Sequence, residues 1–371
     1  MMADAYDVVV VGGGIAGVSI GYELAVDRRV LVVDMEGALA YHTTGRSAAM
    51  YMAMDGNSDV RGLTTASHGY LENPWGGASL LKPLPVLFVG WSGRGDAVIE
   101  LSHEMLPLVP EATVLEAREV VALQPLLRPE HIELAVFDPG AMEIDVHALH
   151  QGFVRGLRSR GGETAVNERV EAASHAADRW TVKLASGRTV AADVIVNAAG
   201  AWADQVADTF GAAPVGLQPL RRSAFMVAGP PGLGGPMVEE IDEAFYFKPD
   251  AGRLLCSPAD ETPQEPRDAR PDQLEIARAI ELINEATTLD VHHVESSWAG
   301  LRSFVADRKP VVGYDPSVDG FFWFAGQGGY GIMTSPALAR AGSALLRGDP
   351  FPADLGEHGV TEAAISPARL G

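Results

Sequence analysis

Six residues near the amino terminus, Gly12-Gly13-Gly14-Ile15-Ala16-Gly17, have the types and spacing that hold a pyrophosphate. Gly12 permits a tight turn, Gly14 lets backbone approach phosphate oxygens, and Gly17 lets a helix pack on a strand. The helix that opens there offers free N–H donors and the positive end of its dipole. Asp34 stands twenty positions past Gly14, where a carboxylate accepts ribose hydroxyls and repels a 2′-phosphate. Toward the other end, Gly326, Gly328, Gly329 and Gly331 form a second cluster ahead of a helical stretch. A second glycine-rich helix N-terminus suits a flavin pyrimidine ring, where negative charge builds on reduction. A nicotinamide has no use for it.

These residues need a strand–turn–helix frame. Val8 to Val11 is a continuous β-branched run, as in a parallel strand buried on both faces. Ile15, Val18, Ile20 and Leu24 follow at helical spacing, and Val30 to Val33 is a second strand that ends at Asp34. Val194 to Val196, followed by Asn197-Ala198-Ala199-Gly200, repeats the strand-to-turn pattern. The nucleotide-binding elements thus come from separate stretches, and the domain is discontinuous: 1–80, 144–205 and 301–371. Two substrate-domain pieces, 81–143 and 206–300, lie between. The second alternates strands ("SAFMVAG", "EAFYFKP") with a helix near 271–286, and antiparallel strands there would roof one face of a flavin. A helix is expected around 96–107. The proline- and charge-rich stretch 257–272 reads as an exposed loop or lid.

Composition narrows the partners. The net charge of −21 argues against nucleic acid and anionic membrane surfaces. Cys256 is the only cysteine, so an intramolecular disulfide and a cysteine-based metal site are both excluded. The histidines lack metal-ligand spacing, and no metal is expected. The apolar run at the amino end is broken by glycines and preceded by Asp4 and Asp7, which predicts neither a signal peptide nor a transmembrane segment. The expected setting is cytoplasmic.

Beyond the shared nucleotide fingerprint, "GRSAA", "DVHALHQGF", "VNAAGAW", "LQPLRRSAF", "AFYFKPDAG", "WAGLRSFVAD" and "GGYGI" run the length of the chain. With these the sequence resembles the FAD-dependent D-amino acid oxidase-like superfamily, and within it the D-arginine dehydrogenases. The resemblance implies an α/β fold: a Rossmann-like, glutathione-reductase-type FAD domain with an α+β substrate domain on a mixed or antiparallel sheet. It implies non-covalent FAD, and hydride transfer from the substrate Cα to the flavin N5. The substrate would be a D-amino acid, the imino acid product would hydrolyse to 2-oxo acid and ammonia, and oxygen or a quinone would accept the electrons. A substrate carboxylate calls for guanidinium forks and a hydroxyl. By the motifs, Arg222, Tyr246 and Arg302 would clamp it, with Gly329 and Ile332 beside the amine and flavin. Arg221, Arg222's neighbour, points to the opposite face of its strand. Met35, His42, Thr44, Gly45, Arg46, Ser47, Val170, Ala199, Gly200, Trp202, Gly328, Tyr330 and Gly331 would join Gly12, Gly14, Ile15, Ala16, Gly17 and Asp34 around the cofactor. Neither His42 nor Cys256 sits in an attachment pattern.

Met50, Met52 and Met54 alternate in "MYMAMDGN", where the related dehydrogenases line the side-chain pocket with polar groups. The anchoring acid of that family's "P-x-P-E" stretch reads Val86 here, and Met333 replaces an amide. A buried guanidinium without its acid costs about 3–5 kcal/mol, and methionine accommodates varied apolar shapes. An apolar, pliable pocket is therefore expected, with D-Met, D-Leu or D-Phe as substrates. Asp55 points the other way, toward D-Arg or D-Lys. Oxidation of secondary amines or cyclic imino acids is the other alternative.

Overall fold

The computed structural model describes residues 4–370. Its elements fall into two large sheets and a small one. The first sheet has eight strands. At its centre Asp4–Val11 runs parallel to Val30–Val33 on one side and to Thr189–Asn197 on the other. Glu163–Ala165 extends it past Val30–Val33, and Phe321–Ala325 pairs parallel with the far half of Thr189–Asn197. Val8 to Val10, Val30, Val32 and Val33 are essentially inaccessible, as the unbroken β-branched runs require. Helices Ile15–Leu24, Val146–Ser159 and Gly331–Arg347 pack together over one face. Gly17 makes this possible: a Cβ there would stand 1.8 Å from the Gly12 carbonyl oxygen.

The second sheet has nine strands and roofs the cofactor half. Gln218–Ala228 pairs antiparallel with Ser296–Phe304 along nine residues and with Arg253–Ser257 on its other side. Beyond these come Tyr246–Asp250, Met237–Glu240 and Val86–Trp91. Ser296–Phe304 is continuous, so a division at 300/301 falls inside a strand. The α-helices in this half are Gly95–Met105, Ala117–Leu123 and Gln273–Ala286. The small sheet joins Met50–Tyr51 and Leu81–Pro83 through Met142–Ile144.

The stretch 257–272 is exposed along much of its length, as its composition predicts, but is pinned to the sheet at several points. Ser257, Ala259 and Ala269 are buried, and Thr262–Pro263 adds a short strand to Gln218–Ala228. The reason is Asp260, which accepts from Arg221 Nε at 2.7 Å and from the Ser223 amide at 2.6 Å. Asp260 is thus spent internally, while Glu265, Arg267 and Arg270 stay exposed. No helix among the described residues is long and apolar enough to cross a membrane.

Candidate active site

A cleft of three adjoining cavities runs between the two large sheets. The first is bordered by Gly12, Gly14, Asp34, Met35, His42, Thr44, Val170, Ala199, Gly200 and Trp202. Gly12 has φ +111°, and a Cβ there would meet the Ala198 carbonyl at 2.3 Å, so only glycine fits this turn. The following helix has no side-chain cap at Gly14, and its N-terminus opens on the cleft. Ile15 donates its amide to Thr44 Oγ1 at 3.0 Å. Asp34 accepts from the amides of Gly13 at 2.7 Å and Glu36 at 2.8 Å. Enclosure lifts its pKa, against those two bonds. His150 donates to the Gly13 carbonyl at 3.0 Å, and burial lowers the pKa of its ring. It lies in the "DVHALH" motif but was not among the expected residues.

The second cavity shares Gly14, Thr44 and Gly200 with the first. It adds Ile15, Ala16, Arg46, Ser47, Gly328, Gly329, Gly331 and Ile332, so both glycine-rich helix N-termini face one void. The helix from Gly331 also lacks a side-chain cap. Two N-termini whose N-cap residues supply no side-chain cap, above an apolar-walled slot, suit FAD, with pyrophosphate at one and the pyrimidine ring at the other. Gly17 packs behind the wall, and Gly45 serves the turn, a Cβ there meeting the Ala40 carbonyl at 2.3 Å. Arg46 ties the wall to the roof, donating to the carbonyl oxygens of Ala269 and Ala299 and to Asp268. Thr43 Oγ1 donates to the Leu301 carbonyl at 2.8 Å and accepts from its amide at 3.2 Å. Cys256 is fully buried and borders none of the three cavities, and burial raises its thiol pKa.

The third cavity, about 350 Å³, shares Ser47, Ala48, Arg222, Tyr246, Arg302, Gly329 and Ile332 with the second. Strand register brings its roof together. Arg222 pairs with Gly300, Leu220 with Arg302, and Glu239 with Tyr246, so these groups share one sheet face. Arg221 takes the other face and is bound by Asp260. Arg302 has no ion-pair or hydrogen-bond partner among the described residues. Arg222 Nη2 donates to Glu261 at 3.2 Å, while its Nε is buried without a partner. Gly329 leaves room for the Arg302 guanidinium, since a Cβ would lie 3.1 Å from Cζ.

Met50, Met52, Met333 and Met237 line this third cavity, but so do Asp55, Glu239, Glu243, Glu261 and Arg308. The expected apolar pocket is thus corrected to one walled by methionine and charge together. Asp55 and Glu239 meet the void on one side and are enclosed by protein elsewhere. That enclosure raises the pKa of both groups; Glu243 adds repulsion on Asp55, and Asp55 and Glu243 add it on Glu239, which is lifted to about 8. Val86 does not line the cavity. It packs, fully buried, in the apolar cluster with Met50, Met52 and Met237. Tyr330, expected at the cofactor, borders the third cavity and not the second.

A family model described as DAO, FAD dependent oxidoreductase, matches residues 7–345. The chain belongs to this family. FAD is therefore its cofactor, and the DAO fold accounts for both sheets. FAD-dependent oxidoreductase domain-containing protein 1 of Bos taurus is 26% identical over 90% of this chain and 80% of its own length. Glycine oxidase of Geobacillus kaustophilus is 24% identical over 97% and 98%, and its crystal structure superposes with TM-score 0.81 at 22% identity, covering 97% of this chain and 99% of that one. Iminodiacetate oxidase from Chelativorans sp. BNC1 matches with TM-score 0.81 at 22% identity, covering 97% and 98%. None of these three carries the name of a D-arginine dehydrogenase.

Proposed function

We propose that this chain oxidises the CH–NH bond of an α-amino acid whose side chain carries positive charge, in the D configuration implied by its sequence motifs. The observation that carries the reading is that an unpartnered guanidinium, Arg302, borders both the second and third cavities, while two enclosed acids, Asp55 and Glu239, border the third alone. The relatives named glycine oxidase and iminodiacetate oxidase support a substrate that joins an amine to a carboxylate.

Arg302 and Arg222 would take the carboxylate as charge-assisted hydrogen bonds, with the Tyr246 hydroxyl as a third donor. The Gly329 carbonyl would accept from an amine N–H. FAD, when bound, accepts the two electrons of the oxidised CH–NH bond. The protein supplies position: the carboxylate would be held by arginines that border both cavities and the side chain by acids that border only the third, which would leave the Cα beside the cofactor cavity. The methionines flank the aliphatic stem of such a side chain without competing for its charge. Removing one partner from a buried ion pair costs about 3–5 kcal/mol, so an apolar side chain that fails to engage Asp55 and Glu239 forgoes most of the pocket's selectivity.

The test is anaerobic bleaching of the flavin by single compounds: D-Lys, D-Arg, D-Leu, D-Met, their L-forms, glycine, sarcosine and iminodiacetate. D-Lys or D-Arg should bleach fastest. A faster response to D-Leu or D-Met would return the acids to a structural role, and a faster response to sarcosine or iminodiacetate would move the chain to secondary amines.

A further inference from the structure

Glu261 is held by two arginines of different setting. From inside the cavity, Arg222 Nη2 donates to Oε1 at 3.2 Å. From the rim, Arg308 donates Nη1 to Oε2 at 3.1 Å and Nη2 to Oε1 at 2.9 Å. Arg222 is nearly enclosed, its side chain 10% exposed, whereas Arg308 is 43% exposed and lies over the Phe304 ring at 3.7 Å. Oε1 is thus shared between an inner and an outer guanidinium.

Arg222 needs an anion. Arg302, on the same sheet face, repels it, and desolvation together with that repulsion lowers its pKa. Glu243 approaches only to 4.0 Å and is 67% exposed, so it is a weak counterion. With no substrate in the cavity, Glu261 is the one close carboxylate on Arg222 among the described residues. When a substrate carboxylate arrives, it asks for the same guanidinium.

We propose that Glu261 is a built-in competitor of the substrate carboxylate for Arg222, and that Arg308 sets the strength of this competition by drawing Glu261 toward the rim. The inference rests on the reading of Arg222 and Arg302 as the carboxylate-binding pair. Glu261 and Arg308 are positioning residues: both act through Arg222. Together they keep Arg222 aimed into an empty cavity and still release it, because Arg308 receives the carboxylate that substrate displaces.

The consequence is a difference of sign. Glu261→Gln removes the competitor, so a ligand carboxylate should bind more tightly. Arg308→Gln leaves Glu261 wholly to Arg222, so the same ligand should bind more weakly. The experiment is titration of the holoenzyme with propionate, read from the shift in flavin absorbance, with propylamine as the control that lacks a carboxylate. We expect the propionate Kd to fall three- to tenfold in Glu261→Gln and to rise by a similar factor in Arg308→Gln, with propylamine unchanged in both. Partial exposure of Glu261 keeps these factors modest. Shifts of the same sign in the two variants, or none in either, would overturn the inference and leave the pair as a rim latch. Arg308 lies on the surface, so its variant tests the sign even if Glu261→Gln does not hold FAD. Arg302→Ala separates the two levels of the argument. If propionate binding does not depend on Arg302, the carboxylate reading of the site falls. If it does and the signs still fail, only the competition falls.

Discussion

Arg222 and Arg302 lie diagonally across two antiparallel strands, Arg222 opposite Gly300 and Arg302 opposite Leu220. Diagonal positions on one sheet face are roughly 7–8 Å apart, within reach of long side chains aimed at a common ligand. Arg302→Lys keeps the charge but loses the fork. It should lower kcat/KM by about 10²-fold, as expected for about 3 kcal/mol at tenfold per 1.4 kcal/mol, with the flavin spectrum retained. Steady-state kinetics on the holoenzyme checks this.

Asp55→Asn should separate substrates by side chain. Turnover of D-Lys should fall by about 10- to 100-fold relative to D-Leu, because the site loses the carboxylate of Asp55 as a partner for the cation. Equal losses for both substrates would assign Asp55 to the fold.

Glu239 links stability to pH. Its pKa is raised from an ordinary 4.5 to about 8, so between these values the folded chain binds more protons than the unfolded one. Stability should therefore fall as pH rises from about 5 to about 8 and level off above. Glu239→Gln should flatten that slope and be the more stable form at pH 8, by an amount on the order of a few kcal/mol. Thermal melts of both proteins at pH 5.5, 7 and 8.5 measure it. In the wild type, a cationic ligand should bind more tightly as pH rises through the same window.

Two glycine substitutions should fail in different ways. Gly17→Ala puts a Cβ 1.8 Å from the backbone oxygen of Gly12, which cannot retreat, and should abolish FAD retention. Gly329→Ala meets the Arg302 guanidinium at 3.1 Å, which can retreat. It should keep FAD and raise KM by about tenfold, equivalent to about 1.4 kcal/mol.

Lys248, 4% exposed, donates to Glu143 at 2.6 Å and so ties the nine-stranded sheet to the small sheet that carries Met50. Glu143→Ala leaves a buried ammonium without its partner and should cost about 3–5 kcal/mol, while the paired change Lys248→Met, Glu143→Leu should recover most of it. Denaturant titration of the three proteins checks the order.

The cofactor half was legible because its signals are local: a β-branched run, glycines at fixed offsets and an acid at the end of the next strand all lie within about thirty residues of chain. Strand alternation likewise separated Arg222 from Arg221. The outer cavity was not legible. Its wall is assembled by pairings between distant strands, so Glu239 in "MVEE" reads locally as one of two solvated acids and becomes a cavity residue only through its register with Tyr246. Val86 fails for a related reason: its strand is buried on both faces, so local alternation does not reveal which face meets the cavity. Asp55 alone hinted at charge, and the neighbouring methionines outweighed it.

The double hydrogen bond between Thr43 and Leu301, with Arg46 on the Ala299 carbonyl and the Trp298 indole on the Arg46 carbonyl, sews the floor of the cleft to its roof along one seam. A cleft stitched in this way cannot open like a clamshell while the seam holds. Residence of FAD is then a matter of how often several bonds break together, and loss of cofactor should follow the tempo of local unfolding rather than that of simple dissociation.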